Sequence, residues 1–336
     1  MPKSSAIAPT NIAFIKYMGK DPRGAALPNG QGLNFPENGS ISMCLDGLHS
    51  HTTVEFGDFS DDIFVLDGKR DTKESARTFA LVDHIRKMAG MSQKARVESR
   101  NNFGKSRGLS SSASGFAALS AAGAAAAGLT LSVEELSALA RKGSGSASRS
   151  IPDGFVEWSP PLFDASGTLI KDSTAVSIFP PDHWDIADVI VVTTTPAKEV
   201  STTQAHGKVS ASPYRDVRLA RMPKKLEDCR QYLTDKNFTA IGRLLEEESW
   251  DLHILFISSG VRYLRPETLH IMDEIERGRK DLEAYYTLNT GQDIHIICRQ
   301  KDAEALKKKM LMLDCVEDVI INKPGLGTRL TDKHLF

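Results

Sequence analysis

One stretch of the chain leaves few options for packing. Residues 113–131 are mostly alanine, interrupted by serine and glycine. Alanine is a strong helix former but only weakly hydrophobic, so the stretch reads as a tightly packed helix over about residues 112–128 rather than a membrane span. Immediately before it runs Asn101-Asn102-Phe103-Gly104-Lys105-Ser106-Arg107-Gly108-Leu109-Ser110-Ser111-Ser112. Small residues let a backbone approach an anion, hydroxyls donate hydrogen bonds, and the first N–H groups of the following helix lack partners. Lys105 and Arg107 add positive charge. The segment therefore suits a polyphosphate. It equally describes a Ser/Gly connection before a buried helix, and taken alone it does not separate the two. It is not a Walker A loop, because no Gly-x-x-x-x-Gly-Lys-Ser/Thr run occurs.

Composition narrows the partners. At 336 residues the chain has room for about two domains. Its 40% hydrophobic and 25% charged residues are those of an ordinary globular protein. A net charge of −1 gives no bulk attraction to nucleic acid or to an anionic membrane, so any basic site is local and suits a small anion. The cysteines (Cys44, Cys229, Cys298, Cys315) are widely spaced, which favours reduced thiols and a cytoplasmic setting over a disulfide framework or zinc. The beginning of the chain lacks the apolar core of a secretory signal.

Along the chain, strands are expected at residues 12–17, 40–44, 51–56 and 63–66, with a Gly/Pro/Asn-rich loop at 21–38 that could act as a flap. A helix is expected over 73–89. Ser132-Val133-Glu134-Glu135 resembles a capped start for another, ending near Lys142. Strands follow at 154–158 and 187–193, around a proline-rich boundary near 180–186. Beyond it the chain is mainly helical (219–233, 238–258, 266–279), then has strands at 284–288, 294–298 and 316–321 with a helix at 303–313. The pattern is α+β, without the alternation of a doubly wound sheet.

Four segments are dense in phosphate- or carboxylate-binding residues. Asn11-Ile12-Ala13-Phe14-Ile15-Lys16-Tyr17-Met18-Gly19-Lys20 places two lysines four apart at a strand end. The serine loop is second. Gly143-Ser144-Gly145-Ser146-Ala147-Ser148-Arg149-Ser150, followed by Gly154-Phe155-Val156-Glu157-Trp158, surrounds an arginine fork with small residues. The fourth is Tyr285-Tyr286-Thr287-Leu288-Asn289-Thr290-Gly291-Gln292-Asp293. His49 and His51 fall in a turn-like, exposed stretch with no further metal ligands nearby. His295 reads as a core or surface residue, and Lys307-Lys308-Lys309 as the exposed face of a helix.

In this order the four segments resemble the mevalonate diphosphate decarboxylases of the GHMP kinase superfamily. Leu252-His253 and Tyr263-Leu264 also match that family's late helical region. The resemblance implies a two-domain α+β fold, with a ribosomal-S5-like N-terminal half (1–183) and a ferredoxin-like C-terminal half (184–336). It also implies ATP and Mg²⁺, a homodimer, and a reaction that phosphorylates a tertiary 3-hydroxyl before losing that phosphate and CO₂ to give an isopentenyl product. By the same resemblance Lys16 and Arg149 form the basic pair around the reacting groups. Tyr17, Lys20, Ser144, Ser146 and Arg149 bind the substrate. Ser111 and Ser112 lie beneath the nucleotide phosphates, with Gly108 allowing the close approach. Lys105, Arg107 and Ser110 are expected to bind the nucleotide from the chemistry of the loop itself, Lys105 and Arg107 standing where the family has small or neutral residues; no metal ligand is assigned.

The pattern breaks at the fourth motif. Where the family has the aspartate of Asp-Ala-Gly-Pro-Asn, this chain has Asn289, and the family's asparagine is Asp293. An amide cannot accept a hydroxyl proton, though it can orient a hydroxyl. Three readings follow: Asp293 takes the acid's role from across the glycine turn, the substrate is a related one, or the chain is catalytically feeble. Met18 replaces the family's tryptophan, loop 21–38 is longer, and the stretch 201–213 is shorter than its counterpart. The expected function is ATP-dependent decarboxylation of mevalonate 5-diphosphate or a close analogue. The alternatives are a small-molecule kinase that stops at phosphorylation, and a non-catalytic ligand-binding paralogue.

Overall fold

The computed structural model describes residues 3–71, 74–103, 111–194 and 200–336. The chain opens with strand β1 (Ser4–Ile15) and continues through β2 (Ser40–Gly57), β3 (Ile63–Leu66), β4 (Lys69–Arg70), helix α1 (Ser75–Ala89) and β5 (Lys94–Asn101). Helices α2 (Ser111–Ala126) and α3 (Val133–Gly143) follow, then β6 (Phe155–Trp158), β7 (Leu162–Phe163), β8 (Leu169–Lys171) and β9 (Ala175–Phe179). After β10 (Ile186–Thr193) come α4 (Thr202–Lys208), α5 (Arg215–Thr234), α6 (Phe238–Ser258) and α7 (Pro266–Gly278). The last elements are β11 (Ala284–Leu288), β12 (Ile294–Arg299), α8 (Ala303–Met310), β13 (Val316–Asn322) and β14 (Arg329–Thr331).

Two sheets organise these elements. The first runs β14-β1-β2-β5-β3-β4, with β6 and β9 attached beside β2. The second is antiparallel, in the order β11-β12-β10-β13. Helix α2 lies across β1 and β2, and its alanines are what permit the close approach: Ala117, Ala118 and Ala122 have no exposed surface. Gly123 sits so near the Ile85 tip that an added Cβ would lie 2.6 Å from it. A central core joins the sheets and helices α5 and α6 through Phe14, Ile41, Ile190, Met222, Leu245 and Tyr285. A third core packs α7 and α8 on the second sheet's far face. Among the described residues no helix is long and apolar enough to cross a membrane.

The expected elements are mostly present, with corrections that have physical reasons. The strands expected at 40–44 and 51–56 are one strand, β2. Its middle, which holds His49 and His51 and was expected to be turn-like, stays extended, and the segment after β13 docks on it: Asp46 N–H donates to Lys323 O at 3.0 Å and Lys323 N–H to Asp46 Oδ1 at 2.8 Å. His49 and His51 therefore sit half-buried in β2 rather than exposed in a turn. Strand β1 begins at Ser4, well before the expected residue 12. Strand β5 was not expected, since Lys94-Ala95-Arg96-Val97 offers only two apolar residues to mark its alternation; both are buried. Helix α3 opens as expected: Ser132 Oγ accepts from Glu135 N–H at 3.2 Å and Ser132 N–H donates to Glu135 Oε2 at 2.8 Å. Such a box contributes about 1 kcal/mol.

The long loop after β1 is tied down. Two 3-10 turns, Pro22–Ala26 and Pro28–Gly30, carry it over the end of α3. There the buried Arg141 donates to the carbonyls of Gln31 (3.1 Å), Leu33 (2.5 Å) and Ser173 (3.1 Å), and pairs with Asp172 at 2.9 Å. Asn34 returns the contact by donating to Arg141 O at 2.9 Å.

Candidate active site

A cavity of about 870 Å³ opens where the end of β1, the N-terminus of α2, the turn after α3, helix α4 and the loop after β11 converge. Lys16 and Arg149 lie at its floor, 2% and 4% exposed. Charges this deeply buried are costly unless paired. Yet Lys16 Nζ donates to two neutral oxygens, Ala13 O at 2.7 Å and Asn289 Oδ1 at 3.1 Å. Arg149 likewise donates to Ser40 Oγ at 3.0 Å and Asn11 Oδ1 at 3.3 Å, with its guanidinium 5.6 Å from the Trp158 ring. No ion pair joins either cation to a carboxylate of the described residues. Burial brings Lys16 down to about 7, with Arg149 and Arg218 pushing the same way and Glu248 and Asp188 opposing. Burial also brings Arg149 down to about 10. Arg149, charged at neutral pH, and Lys16, poised near its titration point, both with neutral partners in one cavity, make a receptor for an anion.

The backbone of Lys16 is held from the C-terminal helices. Its N–H donates to Glu248 Oε1 at 3.0 Å, and its carbonyl accepts from Arg218 Nη2 and Asn38 Nδ2, each at 2.9 Å. Glu248, fully buried, also pairs with Lys225 at 2.9 Å. The ion network on α5 and α6 thus fixes a residue at the end of β1.

The expected substrate residues share the cavity. Tyr17 packs edge-on to Trp158 at 4.7 Å and against His206 at 4.5 Å. It lies so close under Gly145 that an added Cβ there would be 2.7 Å from the ring. Lys20 lines the cavity from an exposed position, and Ser144 Oγ and Ser146 Oγ face each other at 3.4 Å. The turn that carries Ser146 and Arg149 (Gly145–Ser150) is fastened by Asn11 Nδ2, which donates to Ser146 O at 3.2 Å and Ser150 Oγ at 2.8 Å. Ser111 and Ser112, at the start of α2, line the same space. Lys105, Arg107, Gly108 and Ser110 fall outside the described residues.

The fourth motif divides. Asn289 reaches the cavity and touches Lys16. Asp293 is not brought to it: the carboxylate is buried against β10, where Oδ1 accepts from Thr193 N–H at 3.1 Å and Thr193 Oγ1 at 3.4 Å.

Several cavity residues went unread in the sequence. His206 accepts from Gly19 N–H through Nδ1 at 3.2 Å, which places its proton on Nε2. Burial, then Lys20 and Arg149, holds it down to about 3, so it is neutral. It sits on α4, too short for a periodic signal; the capping box Ser201-x-x-Gln204 was the legible clue. Thr202 Oγ1 and Thr290 Oγ1 meet at 2.7 Å, joining α4 to the loop after β11. At the other end of the cavity Phe64, Leu66, Val97, Phe116 and Leu119 form an apolar wall, with Arg77 stacked on Phe116 at 4.7 Å.

Comparison with known proteins bears on this geometry. Residues 8–168 match the family model of the diphosphomevalonate decarboxylase-like N-terminal domain. The diphosphomevalonate decarboxylase of Candida albicans is 35% identical over 87% of this chain and 83% of its own length. The phosphomevalonate decarboxylase of Haloferax volcanii is 32% identical over 84% and 85%. Among solved structures, MDDEF in complex with MVAPP, AMPPCP and magnesium superposes with a TM-score of 0.87 at 30% identity, covering 98% of this chain and 99% of that one. The α+β architecture is the GHMP kinase fold. At this identity and coverage, the chain belongs to the diphosphomevalonate decarboxylase family.

Proposed function

We propose that the protein decarboxylates a phosphorylated mevalonate, mevalonate 5-diphosphate or a close analogue, at the expense of ATP. The observation that carries the reading is the pair Lys16 and Arg149, buried without carboxylate partners in the cavity that also receives the start of α2. Phosphoryl transfer needs little covalent help from a protein; it needs positioning and cationic stabilisation of the transferring group. Ser111 and Ser112 stand for the nucleotide phosphates, and the apolar wall of Phe64, Leu66 and Phe116 suits the base. Tyr17, Lys20, Ser144 and Ser146 take the substrate's own phosphates, and Arg149 its carboxylate or reacting phosphate. The neighbour solved with MVAPP, AMPPCP and magnesium supports ATP and Mg²⁺. Magnesium, a hard cation that keeps oxygen ligands, would be held largely by the nucleotide's phosphates and would stabilise their charge.

A second reading is favoured by one observation. Asn289, not an acid, faces Lys16, which suits an enzyme that phosphorylates without decarboxylating. Assays of ADP and CO₂ with mevalonate, its 5-phosphate and its 5-diphosphate distinguish the readings. Both products in equal amounts from a phosphorylated substrate are expected. ADP without CO₂ would establish the kinase, and binding without either product a non-catalytic relative. The phosphomevalonate decarboxylase among the relatives makes the 5-phosphate a necessary arm.

Three organisational readings accompany this function. The sheets built on either side of residues 183 and 184 support a division into units 1–183 and 184–336, with β14 returning to the first sheet. A homodimer is supported by the exposed stripe Trp250, Ile254 and Ile257 along α6. A cytoplasmic location accords with the cysteine usage.

A further inference from the structure

We infer that in this chain Lys16 itself takes the proton of the substrate's tertiary hydroxyl, with Asn289 as the positioning residue that orients its amine. The inference rests on the proposed phosphoryl transfer to that hydroxyl. Its first support is stereochemical. A neutral amine has two N–H bonds and one lone pair. Lys16 Nζ has two acceptors, Ala13 O at 2.7 Å and Asn289 Oδ1 at 3.1 Å. With these two acceptors engaged, one position of the nitrogen stays open to the cavity, and in the neutral amine that position is the lone pair. A carboxylate at position 289 would instead pair with an ammonium, which has no lone pair to offer.

The surroundings agree. Arg149 and Arg218 disfavour the ammonium while Glu248 and Asp188 favour it, and burial outweighs them all to leave the group near 7. His253, on α6, is held neutral chiefly by burial and so adds no charge beside the amine. Other proton acceptors are badly placed. Asp293 is turned to Thr193. Of the described carboxylates that line the cavity, Asp71 and Glu74 precede α1 at the apolar end, and Glu74 accepts from Arg77 at 3.2 Å. The bonds from Glu248, Arg218 and Asn38 fix the backbone of Lys16, and those to Ala13 and Asn289 fix its amine at the cavity.

The step balances without a further reactant. The lone pair of Nζ takes the hydroxyl proton as the oxygen attacks the γ-phosphorus, and the bond from that phosphorus to the bridging oxygen breaks, releasing ADP. The ammonium so formed lies beside the new phosphate ester. When that carbon–oxygen bond breaks, the electron pair of the bond to the carboxylate forms the alkene, and CO₂ departs. The leaving phosphate recovers the proton from Lys16 and departs as hydrogen phosphate, restoring the neutral amine.

The test is a pH profile of kcat/KM for ADP release, which reports groups of the free enzyme, in wild type, Asn289→Asp and Lys16→Arg. Wild type should lose activity as pH falls through about 7. In Asn289→Asp that acid limb should move by about one pH unit or more, because the new carboxylate changes which group accepts the proton. Lys16→Arg keeps a cation but no base, and should lose about 10²-fold or more and show no limb near neutrality. A wild-type limb that persists unchanged in both variants overturns the inference. So does an Arg variant within a few-fold of wild type. Absence of turnover by wild type with every substrate would sink the proposed function instead. Titration of ¹³C-labelled lysine by NMR, with the Lys16 signal assigned by its loss in Lys16→Arg, is independent of turnover. A midpoint near 7 is expected; one at the ordinary lysine value of about 10.4 overturns the inference.

Discussion

Lys16 shows how one side chain can be costly to the fold and necessary to the site. Burial brings its amine down to about 7 in the folded protein from the ordinary lysine value of 10.5, so between those values the unfolded chain holds a proton that the folded one does not. Stability is therefore lower at pH 7 and rises toward pH 10 as the unfolded state gives up that proton. Lys16→Met removes the penalty. Urea unfolding at pH 7 should show it about 1 kcal/mol more stable than wild type, without the alkaline rise, while ADP release is abolished. A variant less stable than wild type would mean that the bonds to Ala13 and Asn289 outweigh the burial cost. The sequence named Lys16 and Arg149 because their motifs are long and specific, but their burial without carboxylates depends on α5, α6 and Trp158, which come from distant parts of the chain. The exchange of Asn289 and Asp293 was visible as letters. That the two side chains face opposite ways followed only from the turn between β11 and β12.

Among the elements, the loop after β1 has its largest set of side-chain ties on one residue, beside those of Asn34 and Lys142. Arg141 satisfies the carbonyls of Gln31, Leu33 and Ser173 from a fully buried position, with Asp172 as its counter-ion. Arg141→Met strands those carbonyls and leaves Asp172 without its partner. The expected cost is about 3 kcal/mol in urea unfolding, with faster proteolysis within residues 21–35. Equal proteolysis in the two proteins would show that the 3-10 turns hold the loop unaided. The elements with strong local signals were legible: α6 matches its expected limits, and α3 starts at its capping box. Elements defined by their partners were not. Strand β5 carries alternating charges, β14 is three residues long, and α4 is seven residues long and was not read, its cap being its one local signal.

The whole molecule should be sensitive to acid. His253 is buried beside the rings of Phe256 and Tyr263, at 5.4 and 6.4 Å, and burial followed by the Lys16 charge holds it down to about 3. Unfolded, it titrates near 6.5. As pH falls below that value the unfolded state gains a proton that the folded state refuses, so stability declines through the window down to about 3. His253 alone contributes a slope of about 1.4 kcal/mol per pH unit there. His206, partly open to the cavity, adds a smaller share of the same sign. Unfolding free energies at pH 7, 6 and 5 should show the decline, and His253→Leu should flatten it; an unchanged slope in that variant would assign the acid response elsewhere.

The pairing of β14 with β1 has a consequence for the order in which the protein can be made. Ser5 lies opposite Thr331, so nearly the whole chain separates the two partners. During synthesis β1 appears first, and β2 can cover one of its edges early. The other edge presents unpaired N–H and C=O groups until everything between has been translated, the condition under which strands pair wrongly. The first sheet thus cannot close ahead of the second on the ribosome. Among the strand pairings this is the one of longest sequence separation, and on loop-closure grounds among the last to form.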